Sequence, residues 1–532
     1  MQKGVRHMTN ISNPVLRGFN PDASMLRVGD DYYIATSTFE WFPGVQIHHS
    51  RDLVHWRLLT RPLSEVSQLD LRGTPSSGGI WAPALTYHNG TFYLMITDVK
   101  ARRGVFKDLH NYLLTSHNIM GPWSTPIHLN SSGFDPFLFH DDDGRKYLLN
   151  MAWDYRKGKN RFGGIMMQQY SEEKRCLIGS AVKIATGTSI GVTEGPFMFK
   201  RNGWYYLLLA EGGTGWNHAA TLARSRHIEG PYEYDPEYPL ITTVDTPDYP
   251  LQKAGHGAIV ETQNGEWYLS YICARPLPGR RLSPLGRETG LARLVWTEDD
   301  WLRLAQGGKL PPVTEQAPDL PLYSFPQLPS TDHFEDQELG GQYFTLRVPA
   351  SRDWLSLTER PGYLRLRGRE SLYSWHNQSM VARRLDHFEC EVETCVEFEP
   401  EHFNHMAGLV LYYDESDHFY LRISRDEDRG KHIALVVTKQ GQYDEPDGAV
   451  VLTDNWERCY LKVSIQFQHV QFSCSSDGTT WVNIGGELDL GQLSDEYEGK
   501  LGFTGTMIGI CAQDLSGTMK QADFDYLTYL KL

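Results

Sequence analysis

The sequence predicts an all-β protein in which a five-bladed β-propeller precedes a β-sandwich. Three observations favour this architecture. One strand–turn–strand unit recurs five times, strands with a period of two fill the C-terminal part, and no stretch has convincing helical periodicity. The chain has 532 residues, more than one hydrophobic core usually organises, so two domains are expected. The predicted division is a propeller over 1–308, a Pro-rich linker over 309–329 and a sandwich over 330–532.

The recurring unit is a β-hairpin that is closed by a tight turn. The turns are Asn-Gly or Asp-Gly pairs in four units and Gly-Asp-Asp in the first. Asn-Gly and Asp-Gly pairs tolerate positive φ and favour such hairpins. At a spacing of roughly 55 to 65 residues, each unit has room for four strands and long loops, which is one propeller blade. The apolar strand cores that follow the turns begin at Tyr32, Phe92, Tyr147, Trp204 and Trp267.

The first strand of each hairpin carries the residues that point to a function. Equivalent positions in a propeller lie on the innermost strands, which surround one central channel. A single Asp beside Pro is usually a turn starter, but five equivalent positions in register predict one shared site. Three of the five residues are carboxylates. The five are Asp22, Trp81, Asp135, Glu194 and His256.

Composition and charge exclude several classes of protein. The net charge of −15 argues against a nucleic-acid or anionic-membrane partner. The sequence contains no run of about 18 apolar residues, so no membrane span is predicted. The seven Cys are scattered without a CxxC pair, so neither a disulfide framework nor a zinc site is indicated. Residues 1–20 contain no apolar signal region, and we therefore expect a cytoplasmic location.

The second domain is announced by a change of composition. Pro and Gly are dense between Gly307 and Pro329, which is typical of an extended linker. Strands that alternate apolar and polar residues follow it, and about 200 residues of this pattern predict a β-sandwich. The clearest of these strands lie at 363–367, 418–423 and 460–465.

At several of these positions the chain resembles glycoside hydrolase family 43, specifically its two-domain β-xylosidases. The resemblance covers nearly the whole chain and implies a five-bladed propeller followed by a jelly-roll, concanavalin-like sandwich that sends a loop to the active site. The matching stretches are Asn20-Pro21-Asp22-Ala23-Ser24, Gly79-Ile80-Trp81-Ala82-Pro83, Phe134-Asp135-Pro136, Thr193-Glu194-Gly195-Pro196, Ala254-Gly255-His256-Gly257, Gly286-Arg287-Glu288-Thr289, Gly502-Phe503-Thr504-Gly505 and Ala522-Asp523-Phe524-Asp525-Tyr526.

The resemblance also implies roles for individual residues. Asp22 corresponds to the general base, Glu194 to the general acid, and Asp135 to the residue that positions the acid and tunes its pKa. Met507 stands near a position where some relatives carry an aromatic residue at the pocket rim. The residues implied to hold the sugar or line its pocket are Phe39, Trp81, Phe134, His256 and Arg287.

Glycosidic bond cleavage explains why three carboxylates are needed. One carboxylic acid protonates the leaving oxygen while a carboxylate activates water against an oxocarbenium-like centre. Burial and a neighbouring negative charge raise the pKa of an acid, so Asp135 can keep Glu194 protonated. The resemblance implies inversion of configuration, for which we expect about 6.5 to 9.5 Å between the carboxyl groups of Glu194 and Asp22.

The preferred prediction is an exo-acting β-xylosidase that releases xylose from short β-1,4-xylooligosaccharides, with possible α-L-arabinofuranosidase side activity. Three alternatives remain open on sequence alone. They are a main activity on arabinofuranosides, an endo-acting enzyme, and a carbohydrate-binding propeller without catalysis. Intact acid, base and modulator argue against the binder, because buried carboxylates that repel one another cost stability.

Some residues have a second interpretation. Arg287 could serve only to balance the charge of the acidic cluster. His256 could be a core histidine or a ligand of a central ion. Catalysis needs no cofactor, but a structural calcium is conceivable at Asp332 and Asp525, which offer hard oxygen ligands. The resemblance further implies a homo-oligomer, either a dimer or a tetramer.

Overall fold

The computed structural model describes residues 9–532. Residues 1–8, which belong to the stretch in which we found no secretory signal, lie outside the described part. The predicted fold class is confirmed, since five sheets of four or more strands form a propeller and two larger sheets form a sandwich. Within residues 9–532, no helix is long and apolar enough to cross a membrane.

Between residues 9 and 329, the propeller and the segment after it contain twenty-four strands. Each blade runs outward from its first strand, which lies innermost. In chain order the strands are β1 (Asn10–Ser12), β2 (Ser24–Val28), β3 (Asp31–Thr36), β4 (Trp41–Phe42), β5 (Gln46–Ser50), β6 (Arg57–Thr60), β7 (Gly79–His88), β8 (Thr91–Ala101), β9 (Asp108–Ser116), β10 (Ile127–Asn130), β11 (Gly133–His140), β12 (Lys146–Trp153), β13 (Phe162–Ser171), β14 (Cys176–Ala185), β15 (Glu194–Arg201), β16 (Trp204–Glu211), β17 (Ala219–Ser225), β18 (Glu233–Tyr234), β19 (Ile241–Thr242), β20 (Gln252–Glu261), β21 (Trp267–Ala274), β22 (Glu288–Trp296), β23 (Leu302–Leu304) and β24 (Thr314–Gln316).

The blades are antiparallel sheets whose order follows the chain. They are β2-β3-β5-β6, β7-β8-β9-β10, β11-β12-β13-β14, β15-β16-β17-β18 with β19 beside β17, and β20-β21-β22-β23. The predicted hairpin turns have the expected backbone, for example with φ of 48° at Asn89 and 79° at Gly90. Two consecutive residues with positive φ fit a type I′ turn, whose twist matches that of the flanking strands.

The N-terminal segment closes the ring between the first and fifth blades. Asn13 is buried, and its amide nitrogen donates to the carbonyl oxygens of Leu291 and Pro312 at 2.8 and 2.7 Å. Its amide oxygen accepts from the Leu291 backbone N–H at 2.9 Å. In addition, β1 pairs with β24, so the stretch 309–329 includes one short strand besides its extended parts.

The sandwich contains sixteen strands and two 3₁₀ helices, the latter at Leu490–Leu493 and Tyr497–Gly499. Its two sheets enclose one large apolar core. The strands are β25 (Thr331–Asp332), β26 (Phe344–Leu346), β27 (Leu355–Ser356), β28 (Leu364–Arg367), β29 (Ser379–Arg384), β30 (Glu389–Glu397), β31 (His405–Asp414), β32 (Asp417–Asp426), β33 (Gly430–Lys439), β34 (Gln442–Asp444), β35 (Val450–Leu452), β36 (Cys459–Gln466), β37 (His469–Ser475), β38 (Val482–Asp489), β39 (Met507–Asp514) and β40 (Gln521–Lys531).

The two domains share a sheet. One sandwich sheet has the order β27-β28-β40-β30-β36-β37-β38, and the other has the order β34-β33-β32-β31-β39-β29-β26-β4. Its last strand, β4, belongs to a loop of the first blade and pairs with β26 through Thr345↔Phe42 and Leu346↔Trp41. Apolar side chains of both domains continue into one core cluster. This interface places the loop before β39 over the end of the propeller channel.

Candidate active site

The innermost strands bring all five predicted residues to one cavity at the end of the central channel. The cavity has a volume of about 320 Å³, near the lower end of the range for small-molecule sites. Both domains contribute to its wall. The lining residues are Asp22, Phe39, Trp81, Ala82, Lys107, Phe134, Asp135, Trp153, Phe162, Val192, Glu194, Gly213, Thr214, His256, Arg287, Leu501 and Phe503.

Prolines explain why these strands leave the regular ladder at the site. Pro has no N–H to donate, so it interrupts pairing and is found at bulges. The strand register shifts between Trp81 and Ala84, between Phe134 and Phe137, and between Glu194 and Phe197, each time across a proline. A bulge of this kind re-aims a side chain, here towards the channel end.

Two of the carboxylates have strained backbones. Asp22 and Asp135 have φ of 58° and 56°, and His256 has 39°. Residues other than Gly rarely adopt the left-handed region, where each costs about 1–3 kcal/mol, and such strain clusters at functional sites. The surrounding blades therefore hold these side chains in orientations that a relaxed chain would avoid.

Asp22 is a buried carboxylate with hydrogen-bond donors on both oxygens. Arg287 Nη1 donates to Oδ1 at 2.9 Å, and the Ser37 hydroxyl donates to Oδ2. Both donors fix the orientation of the carboxyl group, and hydrogen bonds to a charged group are short and strong. The arrangement suits a group that accepts a proton from water.

Glu194 and Asp135 form a closely coupled buried pair on adjacent blades. Burial raises the pKa of the Glu194 carboxyl well above its usual value, and the negative charges of Asp135 and Asp22 raise it further. Burial and Asp22 also raise the pKa of Asp135, but the Gly195 backbone N–H donates to its Oδ2 at 3.0 Å and favours its ionised form. Because Asp135 has this stabilising donor, the arrangement favours Glu194 as the protonated member of the pair.

Arg287 lies between the catalytic end of the propeller and the sandwich loop. It is buried, and its Nη2 donates to the Phe503 carbonyl oxygen at 3.2 Å while Nη1 holds Asp22. Its guanidinium is 5.6 Å from the ring centroids of both Phe39 and Phe503. Charge balance is therefore one of its functions, and it also orders Asp22 and the loop.

His256 packs closely against β15, the strand that begins at Glu194. A side-chain carbon at Gly195 would come within 3.0 Å of the His256 ring, so only glycine fits there. Burial, and then the positive charge of Arg287, lower the pKa of His256, although Asp22 opposes the shift. The imidazole is consequently neutral at neutral pH and can exchange hydrogen bonds with a sugar hydroxyl.

Six aromatic residues line the cavity, and four of them, Phe39, Trp81, Phe134 and Phe503, form a connected group. Trp81 meets Phe134 and Phe503 edge-on, with ring centroids 5.3 and 5.4 Å apart, and Phe39 lies 6.1 Å from Phe503. The indole N–H of Trp81 donates to the Ser77 carbonyl oxygen at 3.0 Å, which fixes the ring. Flat apolar faces beside carboxylates suit a sugar, whose C–H faces and hydroxyls need both.

Several residues that line the cavity were not predicted from the sequence. Phe503 was noted only as part of a motif, yet its ring faces the cavity, whereas Met507 is fully buried at the start of β39. The rim position is thus filled by Phe503 and the exposed Leu501. The others missed lie on loops or at strand ends, where no repeat predicts their direction: Lys107, Trp153, Phe162, Val192, Gly213 and Thr214.

The geometry gives no support to the calcium site expected at Asp332 and Asp525. Asp332 accepts hydrogen bonds from the Phe334 backbone and the Gln342 side chain, and Asp525 pairs with Arg458. Among residues 9–532, no three His, Cys, Asp or Glu side chains are grouped so that they could hold a metal ion. This includes the surroundings of His256.

Three buried carboxylates in one aromatic-walled cavity are the groups that glycosidic bond cleavage uses, and they define the class of this protein as a glycoside hydrolase. Residues 11–302 match the family model described as Glycosyl hydrolases family 43, and residues 331–530 match that of the Beta xylosidase C-terminal Concanavalin A-like domain. The chain belongs to glycoside hydrolase family 43.

Several known proteins resemble the chain along its whole length. A Bacillus subtilis protein named Beta-xylosidase is 47% identical, over 98% of this chain and 99% of that protein. A Humicola insolens protein named Xylosidase/arabinosidase 43B is 46% identical, over 98% of both chains. The crystal structure of a xylan β-1,4-xylosidase from Bacillus halodurans C-125 is 56% identical, covers 98% of this chain and 100% of its own, and has a TM-score of 0.96.

Proposed function

We propose that this protein is an exo-acting, inverting β-xylosidase that releases xylose from the non-reducing ends of short β-1,4-xylooligosaccharides. One observation carries the proposal: three buried carboxylates and Arg287 meet in a cavity that an aromatic loop of the sandwich covers. The names of the Bacillus relatives support xylose as the sugar and the β-1,4 bond as the linkage.

The three carboxylates divide the work according to their surroundings. Glu194 is protonated because burial and the charges of Asp135 and Asp22 raise its pKa, so it acts as the general acid on the leaving oxygen. Asp22, which Arg287 and Ser37 hold in place, takes the proton of the attacking water. Asp135 keeps the proton on Glu194 and anchors the acid's strand through the Gly195 N–H.

Inversion follows if water enters between base and sugar in a single displacement. That geometry needs about 6.5 to 9.5 Å between the two carboxyl groups, whereas a covalent intermediate needs about 5 Å. Asp22 lies before the first blade and Glu194 begins the innermost strand of the fourth, so the two approach the cavity from separated blades. This separation supports the longer spacing.

Exo action is supported by the shape of the cavity. Phe503 and Leu501 come from the sandwich and cover the end of the propeller channel. A polysaccharide chain that continued in both directions would collide with this loop, whereas a chain end can enter. Catalysis by the proposed residues needs no cofactor, since acid and base are both side chains.

Product analysis tests the proposal. Wild-type protein is incubated with xylobiose, xylotetraose and xylan, and the products are separated by size. We expect xylose as the first product from both oligosaccharides, and the Glu194→Gln variant should bind xylose but lose hydrolysis by a factor of about 10² to 10⁴. Long fragments from xylan would contradict exo action, and full activity of the variant would contradict the assignment of the acid.

An activity on α-L-arabinofuranosides is a second candidate, because the Humicola relative is named for both sugars. An aryl α-L-arabinofuranoside assayed beside the matching xyloside gives the ratio of the two activities. We expect the xyloside to be preferred. The reverse ratio would keep the fold and mechanism but change the main substrate.

We also propose that the protein works in a reducing cytoplasm and as a homo-oligomer. All seven cysteines are unpaired, and six of them are buried, which suits a reducing compartment. The oligomer rests on the resemblance to the family alone. Light scattering coupled to gel filtration measures the mass, and a single species near the chain mass of 60.8 kDa would contradict the oligomer.

A further inference from the structure

Ser77 connects three parts of the molecule that meet behind the cavity wall. It lies just before β7, is buried, and uses all three of its polar groups. Its N–H donates to Glu40 Oε2 at 3.0 Å, its carbonyl accepts from the Trp81 indole at 3.0 Å, and its hydroxyl oxygen accepts from the Phe503 N–H at 3.1 Å. One serine therefore joins the first blade, the second blade and the sandwich loop.

The backbone around Ser77 is held in an unfavourable conformation. Ser77 has φ of 60°, in the left-handed region that residues other than Gly seldom adopt. Gly79, two residues further on, lies so close to the first blade that an added Cβ would be 2.3 Å from the Phe39 carbonyl oxygen. Because this segment has little room to move, the Ser77 hydroxyl has a fixed position from which it can orient the sandwich loop of the same chain.

Phe503 is the residue that this hydroxyl orients. Its N–H is bound by Ser77, and its carbonyl oxygen is bound by Arg287 Nη2 at 3.2 Å. Both propeller groups thus bind the backbone of the same sandwich residue, one at its N–H and the other at its carbonyl oxygen. Arg287 uses its other nitrogen on Asp22, so the grip on Phe503 continues to the proposed base.

We propose that Ser77 is a positioning residue for the sugar pocket, which acts by holding Phe503 against Trp81. This inference rests on the proposed function and deepens it. The Phe503 ring lies 5.4 Å from Trp81 and 6.1 Å from Phe39, so a small displacement of its backbone opens the face that covers the bound sugar. Ser77 itself need not touch the substrate.

The variants Ser77→Ala and Ser77→Gly remove the hydroxyl in two different ways. The alanine keeps the side chain small, and the glycine also relieves the strain at positive φ, so at least one is expected to fold. On xylobiose we expect KM and the inhibition constant of xylose to rise about three- to tenfold, the range that one neutral hydrogen bond supplies. We expect kcat to change by less than about twofold, because acid and base stay in place.

A double-mutant cycle distinguishes positioning from a general loss of structure. If Ser77 acts through Phe503, Ser77→Ala should have no further effect on KM in a Phe503→Ala background. Ser76→Ala is the matched control: its hydroxyl contacts Glu415 and Arg347 of the sandwich but none of the cavity residues, so KM should stay as in wild type.

The outcomes separate the two proposals. A wild-type protein that does not hydrolyse xylobiose overturns the proposed function. A wild-type protein that hydrolyses it, with Ser77 variants of unchanged KM or with effects that add to those of Phe503→Ala, overturns the positioning role alone. A non-additive rise in KM, absent from Ser76→Ala, supports it.

Discussion

Glu194 and Asp135 are both buried at the channel end, and one hydrogen bond differs between them. The Gly195 N–H donates to Asp135, which favours the proton of the pair on Glu194, the proposed acid. The types of all three carboxylates and their common location could be predicted from sequence, because the repeat puts them in register. The hydrogen-bond partners in the site could not be predicted, since Ser37 and the Phe503 carbonyl come from parts of the chain that no repeat relates to the site.

The alkaline limb of the pH–rate profile should report Glu194. The pKa of Glu194 is raised, so the acid stays protonated as pH rises past its usual range, and activity is lost when pH passes the raised value. Asp135→Asn removes a negative charge that raises this pKa, and we expect the alkaline limb of kcat/KM to move to lower pH, with a lower maximum rate.

Asp141→Asn is the control for that shift. Asp141 is also a buried propeller carboxylate, but it pairs with Lys200 and is absent from the cavity wall. Its replacement should leave the limb in place. A limb that moved to higher pH in Asp135→Asn would contradict the electrostatic coupling.

At the scale of elements, the innermost strands and their tight turns followed from Asn-Gly and Asp-Gly pairs and from the position of proline. The bulges at Pro83, Pro136 and Pro196 lie where proline cannot donate to the ladder, so strand breaks near the site were predictable in kind. The pairing of β1 with β24 was not, because three-residue strands carry too little pattern to reveal a partner some 300 positions away.

Ring closure by Asn13 should be measurable as stability. Asn13→Ala leaves the Leu291 N–H and the Leu291 and Pro312 carbonyls without their partner in a buried place, and we expect a loss of about 1–3 kcal/mol in the free energy of unfolding. Urea denaturation measures it. Asn118→Ala, in an exposed turn, should change stability by at most about 0.5 kcal/mol, and equal losses in both variants would contradict the closure role.

At the scale of the whole molecule, the sandwich is part of the active site. The order of the two domains and the loop towards the site were predicted from the resemblance, but the shared strand pair β4–β26 was not, because two-residue strands cannot be recognised from sequence. The sequence indicated Met507 as the residue near the pocket rim, whereas the side chain that lines the cavity is Phe503. The direction of the loop backbone decides which of its residues faces inward, and this direction cannot be predicted from the sequence pattern.

We propose that Glu194 and Asp22 cleave a xyloside in a single displacement at this site. Proton NMR during hydrolysis of an aryl β-xyloside tests it most directly, because the only xylose formed comes from the non-reducing end and its anomeric form is seen before mutarotation. We expect α-xylose as the first signal, with β-xylose appearing only later. Initial release of β-xylose would show retention and would contradict the assignment of Asp22 as the base that activates water.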